Sequence, residues 1–112
     1  MDFDAGDLVR VPFPHIERLI MVARPAVVLT LVPVGPHGLL IWTLMITNAE
    51  RPFWPGDVPI PNAVAHGLLI PSKVRTAKIA AVACSAAVRI GRLDDVTWAG
   101  VREQVRAHLL LT

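Results

Sequence analysis

At 112 residues the chain is long enough for one small domain over residues 1–112 and too short for two. An apolar fraction of 54% against 18% charged excludes a disordered chain and exceeds what so small an interior holds, which points to a subunit interface. The net charge of +2 is unevenly divided, with seven basic against three acidic residues over 72–112 and four against six over 1–71, so the second part offers a basic tract to a phosphate backbone or to water.

The start, MDFDAGDLVR, is acidic and lacks the apolar region of a signal peptide, so a cytoplasmic protein is expected. Gly6-Asp7 reads as a turn into a first strand, LVRVPF, which Pro12 and Pro14 are expected to end. Residues 15–23, HIERLIMVA, form the connection. Pro25 biases Arg24 toward extended geometry, and AVVLTLV, rich in β-branched residues, reads as a second strand. LLIWTLMIT, residues 39–47, is a third. From Pro25 to Thr47 there is no formal charge, and that length nearly spans a bilayer. Pro33, Gly35, Pro36 and Gly38 interrupt it, so two strands joined by a turn are expected, with no membrane association.

NAERPFWPG, residues 48–56, is irregular. DVPIP reads as an edge strand because its prolines cannot donate ladder hydrogen bonds, and NAVAHG as a turn or short helical piece. In LLIPSKVRTAKIAAV, alternation of Val74, Thr76 and Lys78 with Arg75, Ala77 and Ile79 predicts a half-exposed strand, and AAVRIGRL a last one. Asp94 or Asp95 then caps a helix over 95–110, with Trp98, Val101, Val105 and His108 or Leu109 at spacings of three and four. The fold class is mainly β with a C-terminal helix, its five to seven short strands favouring a small compact barrel. Cys84, the single cysteine, reads as a buried thiol, and the histidines His15, His37, His66 and His108 lack ligand spacing, so no metal or other cofactor is expected.

In order along the chain, GDLVRVPFP with ARPAVVLT, MIT before Asn48, IPSKVRTAKIAAV, and RIGRL before the helix resemble the MazF/PemK toxins of bacterial toxin–antitoxin modules. The resemblance runs from residue 6 to residue 110. It implies an SH3-like barrel that forms a homodimer, a metal-independent endoribonuclease acting on single-stranded messenger RNA, and a cognate antitoxin covering the active groove. Products would be 2′,3′-cyclic phosphate and 5′-hydroxyl ends.

On that resemblance Arg24 is the first catalytic candidate. A guanidinium is always charged and matches two phosphate oxygens with a planar fork. From spacing alone it reads equally as a solvated strand end. Thr47 matches the family's hydroxyl at the end of the third strand, and His15 is a candidate proton acceptor near neutral pH. Asn48, Ser72, Lys73 and Arg75 are candidate RNA contacts, Ser72 also being suited to capping a turn. Phe53 and Trp54 can stack on bases or pack internally. Two departures stand out: Ala77 occupies the place where some relatives carry an aspartate, and LIMVA precedes Arg-Pro where relatives are usually basic. The alternative is a weak or inactive SH3-like dimeric binding module of the same fold. A third reading is a general nucleic-acid-binding barrel.

Overall fold

The computed structural model describes residues 3–15 and 18–110, the side chains of 14–22 and 37 excepted. The strands are β1 (Asp7–His15), β2 (Arg18–Pro33), β3 (Leu39–Asn48), β4 (Asp57–Ile60), β5 (Ser72–Ala83) and β6 (Val88–Arg92), and one helix follows, α1 (Asp95–Leu109). They form one sheet in the order β4-β5-β3-β2-β1-β6 with every described pairing antiparallel. The end strands β4 and β6 do not pair with each other, so the expected small barrel is an unclosed sheet. Pro59 lies in the edge strand β4, where a missing N–H costs nothing.

Both faces of the sheet are apolar. Leu8, Val27, Leu44 and Val74 lie on one face, which α1 covers with Trp98, Val101 and Val105. Val9, Val11, Ala26, Val28 and Ile41 pack on the other. This is why β2 and β3 read as continuous apolar runs rather than alternating ones. The uncharged stretch 25–47 becomes two strands joined by a single 3-10 turn, Gly35–His37, and among the described residues no helix is long and apolar enough to cross a membrane.

The helix starts where a carboxylate satisfies its first free amides. Asp94 Oδ1 accepts from the Thr97 N–H at 2.7 Å, and this bond holds the Asp94 carboxyl below its ordinary range. His108 rather than Leu109 completes the inward face, and Leu109 is exposed. At the other end of the chain, buried Asp7 pairs with Arg92 at 2.9 Å and with Arg89 at 3.4 Å, tying β1 to β6. Cys84 is buried and free.

The expected loop at 15–23 is corrected by the structure. β2 begins at Arg18, and Met21, Val22 and Ala23 pair with Pro14, Phe13 and Pro12. Pro12 and Pro14 do not end β1. β6 pairs with β1 only as far as Arg10, so beyond that point the outer edge of β1 is open. Two prolines two residues apart turn their nitrogens to the same side, and on an open edge the absent N–H breaks no ladder bond.

Gly91 in β6 sits against the 3-10 turn Ala63–His66, and a Cβ there would run into the His66 carbonyl oxygen. Backbone on both sides leaves no room for relaxation. Gly91→Ala is therefore expected to destabilise the fold by roughly 2 kcal/mol or more, read as a lower urea midpoint at unchanged slope.

Candidate active site

β3 ends and β5 begins beside the middle of β1 and β2. In the β2–β3 register Ala26 faces Met45 and Val27 faces Leu44. The described β2–β3 pairing ends at Ala26 and Met45, and Arg24 and Thr47 lie two residues beyond it on the two strands. On β2's other side Arg10 faces Pro25, and on β3's other side Asn48 faces Ser72. Arg10, Arg24, Thr47 with Asn48, and Ser72 thus come from four neighbouring strands. These five residues, with Arg51 from the following loop, line a cleft of about 420 Å³ whose far wall is Leu68, Leu69 and Ile70.

The cleft is rich in hydrogen-bond donors. Arg10, Arg24 and Arg51 all line it, and among the described residues no carboxylate does. Among the described residues none of the three is ion-paired, and the Thr47 hydroxyl has no intramolecular partner. Asn48 Oδ1 accepts from the Glu50 N–H at 2.8 Å, so its amide N–H groups are the part left for a ligand. Ser72 donates its only hydroxyl hydrogen to the Ile70 carbonyl at 2.7 Å, which fixes the turn and leaves Ser72 an acceptor. Guanidiniums, a hydroxyl and an amide together suit an anion with several oxygens, such as a phosphodiester. The side chain of His15 lies outside the described residues. Among the described residues no group of three His, Cys, Asp or Glu side chains is placed to hold a metal ion.

Lys73 and Arg75 do not line the cleft. The expected half-exposed strand is corrected here: residues 72–76 are all buried, and exposure begins at Ala77. The physical reason is that the loop between β3 and β4 folds over this half of β5. Arg75 grips Asp57 with both arms of its fork, Nε to Oδ1 at 3.2 Å and Nη2 to Oδ2 at 3.1 Å. Lys73 Nζ approaches Asp57 Oδ2 at 3.1 Å. The two cations also hold the loop backbone: Lys73 donates to the Arg51 carbonyl at 2.6 Å and Arg75 to the Pro52 carbonyl at 2.6 Å. Trp54 lies over the Arg75 guanidinium, 4.1 Å from its ring centre, and Phe53 near Lys73 at 6.0 Å. One face of Trp54 is thus occupied by a cation. Farther along, Thr76 donates to the Gly56 carbonyl at 2.7 Å, which leaves its oxygen to accept from His108 Nε2 at 2.9 Å.

Burial alone would raise the Asp57 carboxyl, but hydrogen bonds from Arg75, the Trp54 N–H and Lys73 outweigh it and hold the carboxyl below its ordinary value of 3.8. A depressed carboxylate stabilises the fold above its unfolded pKa and loses that contribution as pH falls through the folded one. Urea-unfolding stability is therefore expected to fall once the pH drops below about 4. Asp57→Asn, although less stable at neutral pH, should show a shallower acid slope. An unchanged slope would place the acid-labile group elsewhere.

A family described as "PemK-like, MazF-like toxin of type II toxin-antitoxin system" matches residues 4–109. The chain belongs to this family. Its fold is also that of solved MazF structures. It superposes on the MazE–MazF complex from Deinococcus radiodurans with a TM-score of 0.70 at 21% identity, covering 97% of this chain and 96% of that one. An endoribonuclease bound to its cognate antitoxin from a mycobacterial species gives 0.72 at 15%, covering 96% and 95%. The Mycobacterium tuberculosis toxin MazF-mt6 gives 0.63 at 22%, covering 92% and 98%. No curated protein matches.

In this MazF-like chain the structure brings Arg24, Thr47, Asn48 and Ser72 into one cleft and adds two arginines that the sequence reading did not single out. Arg10 had a signal. It occupies an alternating position with Leu8 and Pro12, and it faces Pro25 of the Arg-Pro pair across the hairpin. Arg51 had none, because an arginine in an irregular loop has no register from which its direction follows.

Proposed function

We propose that the chain is a metal-independent endoribonuclease toxin of a type II toxin–antitoxin module that cleaves single-stranded RNA, chiefly messenger RNA in the cytoplasm. The observation that supports this most is that Arg24 and Thr47, from neighbouring strands, line one donor-rich cleft in which no carboxylate stands among the described residues. In this reading the RNA supplies the nucleophile. The 2′-hydroxyl loses its proton and attacks the adjacent phosphorus, the bond from phosphorus to the 5′ oxygen breaks, and that oxygen leaves with a proton. Arg24 neutralises the charge that builds on the non-bridging oxygens, and Thr47 donates a hydrogen bond to one of them. His15, on the same hairpin as Arg24, is the proposed proton acceptor. The Asn48 amide, Arg10 and Arg51 hold flanking phosphates or a base edge, and Ser72 accepts from a base or sugar donor.

The partners follow the same reading. The exposed Leu69 and Ile70 on the cleft wall suit the apolar residues of an antitoxin segment, and solved relatives are held in complexes with MazE or a cognate antitoxin. Exposed Trp42 and Ile79 on the sheet supply apolar surface for a homodimer. A second reading, a dimeric binding module without cleavage, is favoured by exposed Ala77, which leaves no carboxylate where some relatives carry one.

Incubation of the purified protein with a long single-stranded RNA in EDTA separates the two. Cleavage leaving 2′,3′-cyclic phosphate and 5′-hydroxyl ends, abolished by a single 2′-deoxy substitution at the cut site, is the expected result. RNA left intact while a small acidic partner binds the cleft would establish the binding module instead.

A further inference from the structure

Arg51 reaches the cleft from a loop whose start is a turn, with the Arg51 N–H on the Asn48 carbonyl at 3.0 Å and the Glu50 N–H on Asn48 Oδ1. Residues 49–56 belong to no strand or helix, Arg51 is exposed, and Phe53 is among the most exposed apolar side chains of the protein. The carbonyls from Arg51 onward are held by β5. Lys73 holds the carbonyl of Arg51 itself, Arg75 holds the next carbonyl at Pro52, and Thr76 holds Gly56. The buried Asp57 carboxylate accepts from the Trp54 N–H at 2.9 Å and balances both cations.

The opposite direction of neighbouring side chains makes this a relay. On β5, Ser72 lines the cleft while Lys73 points to the loop. We propose that Lys73 and Arg75 are positioning residues for RNA binding: clamped on Asp57, they hold the Arg51 backbone so that its guanidinium lies in the cleft beside Arg24. This rests on the reading of the cleft as an RNA site. It gives the basic pair in the SKVR segment a role in substrate binding without contact with the RNA.

The closest probe is Lys73→Met, which removes the contact to the Arg51 carbonyl and leaves the Asp57–Arg75 fork intact. Two measurements on the full chain test the proposal. The first needs no RNA: amide hydrogen exchange over residues 49–53 should quicken in Lys73→Met while the strand cores stay protected. The second is steady-state cleavage. KM should rise about tenfold, the scale of one lost charge-assisted phosphate contact, with kcat within about twofold. In an Arg51→Ala background the same substitution should add almost nothing to KM. Arg75→Lys, which keeps a cation beside Asp57, should lie between wild type and Lys73→Met. Unchanged exchange in Lys73→Met, or KM effects of Lys73→Met and Arg51→Ala that multiply, would overturn the proposal. A wild-type protein that neither binds nor cuts RNA would overturn the reading of the cleft, and with it any role of the clamp in binding RNA, whatever the exchange result.

Discussion

Arg24→Ala is expected to lower the RNA cleavage rate by about 10²-fold or more while leaving the urea midpoint close to wild type. The first part follows from preorganisation. Arg24 is half-buried and its backbone is fixed by pairing with Val11 on β1, so on the proposed reading less of its freedom and hydration is left to lose when a phosphate binds. The second part follows because, among the described residues, Arg24 has no ion pair whose loss would strand a buried partner. Arg24→Lys keeps the charge but presents a point in place of a fork, and should recover only part of the rate. Initial rates on one defined RNA, with denaturation curves run beside them, check both statements. A variant that is inactive only because it is unfolded would not support a catalytic role.

The largest effect on stability is expected at Asp57. Its side chain is 1% exposed, and those of Lys73 and Arg75 are 9% each. Asp57→Ala leaves two buried cations beside each other with their counter-charge gone. Breaking a buried ionic cluster in this way costs about 3–5 kcal/mol, a large share of the stability of a domain this size. Urea denaturation at neutral pH measures it. A loss below about 1 kcal/mol would mean that water reaches the cluster and screens it as at a surface. The comparison with Asp57→Asn separates charge from shape, since the amide keeps an acceptor for Arg75 but not the balancing charge.

The parts of the fold that were legible in the sequence are those with local causes. α1 announced itself through the carboxylate of Asp94 and the spacing of Trp98, Val101 and Val105. The turn 35–37 was visible in its glycines and proline, and the edge position of β4 in Pro59. The parts that were not legible depend on which strand lies alongside. Pro12 and Pro14 look like a strand end until β6 is known to stop pairing at Arg10. The first half of β5 alternates like a half-exposed strand, yet the loop 49–56 covers it. That cover is held by Asp57, eighteen residues from Arg75 in sequence, so no window of local pattern contains it. The cleft divides in the same way. Arg24 and Thr47 were carried by family motifs on strands, where register decides direction. Arg51 enters through a loop whose path is set by side chains on another strand.

The claim on which the functional account rests is that Arg24 and Thr47 act together on one phosphodiester. A double-mutant cycle on the single-turnover cleavage rate, with Arg24→Ala, Thr47→Val and the pair, tests it most directly. If both side chains stabilise the same phosphate oxygens, the double variant loses far less than the product of the single losses. Losses that multiply would show the two residues acting independently and contradict the account.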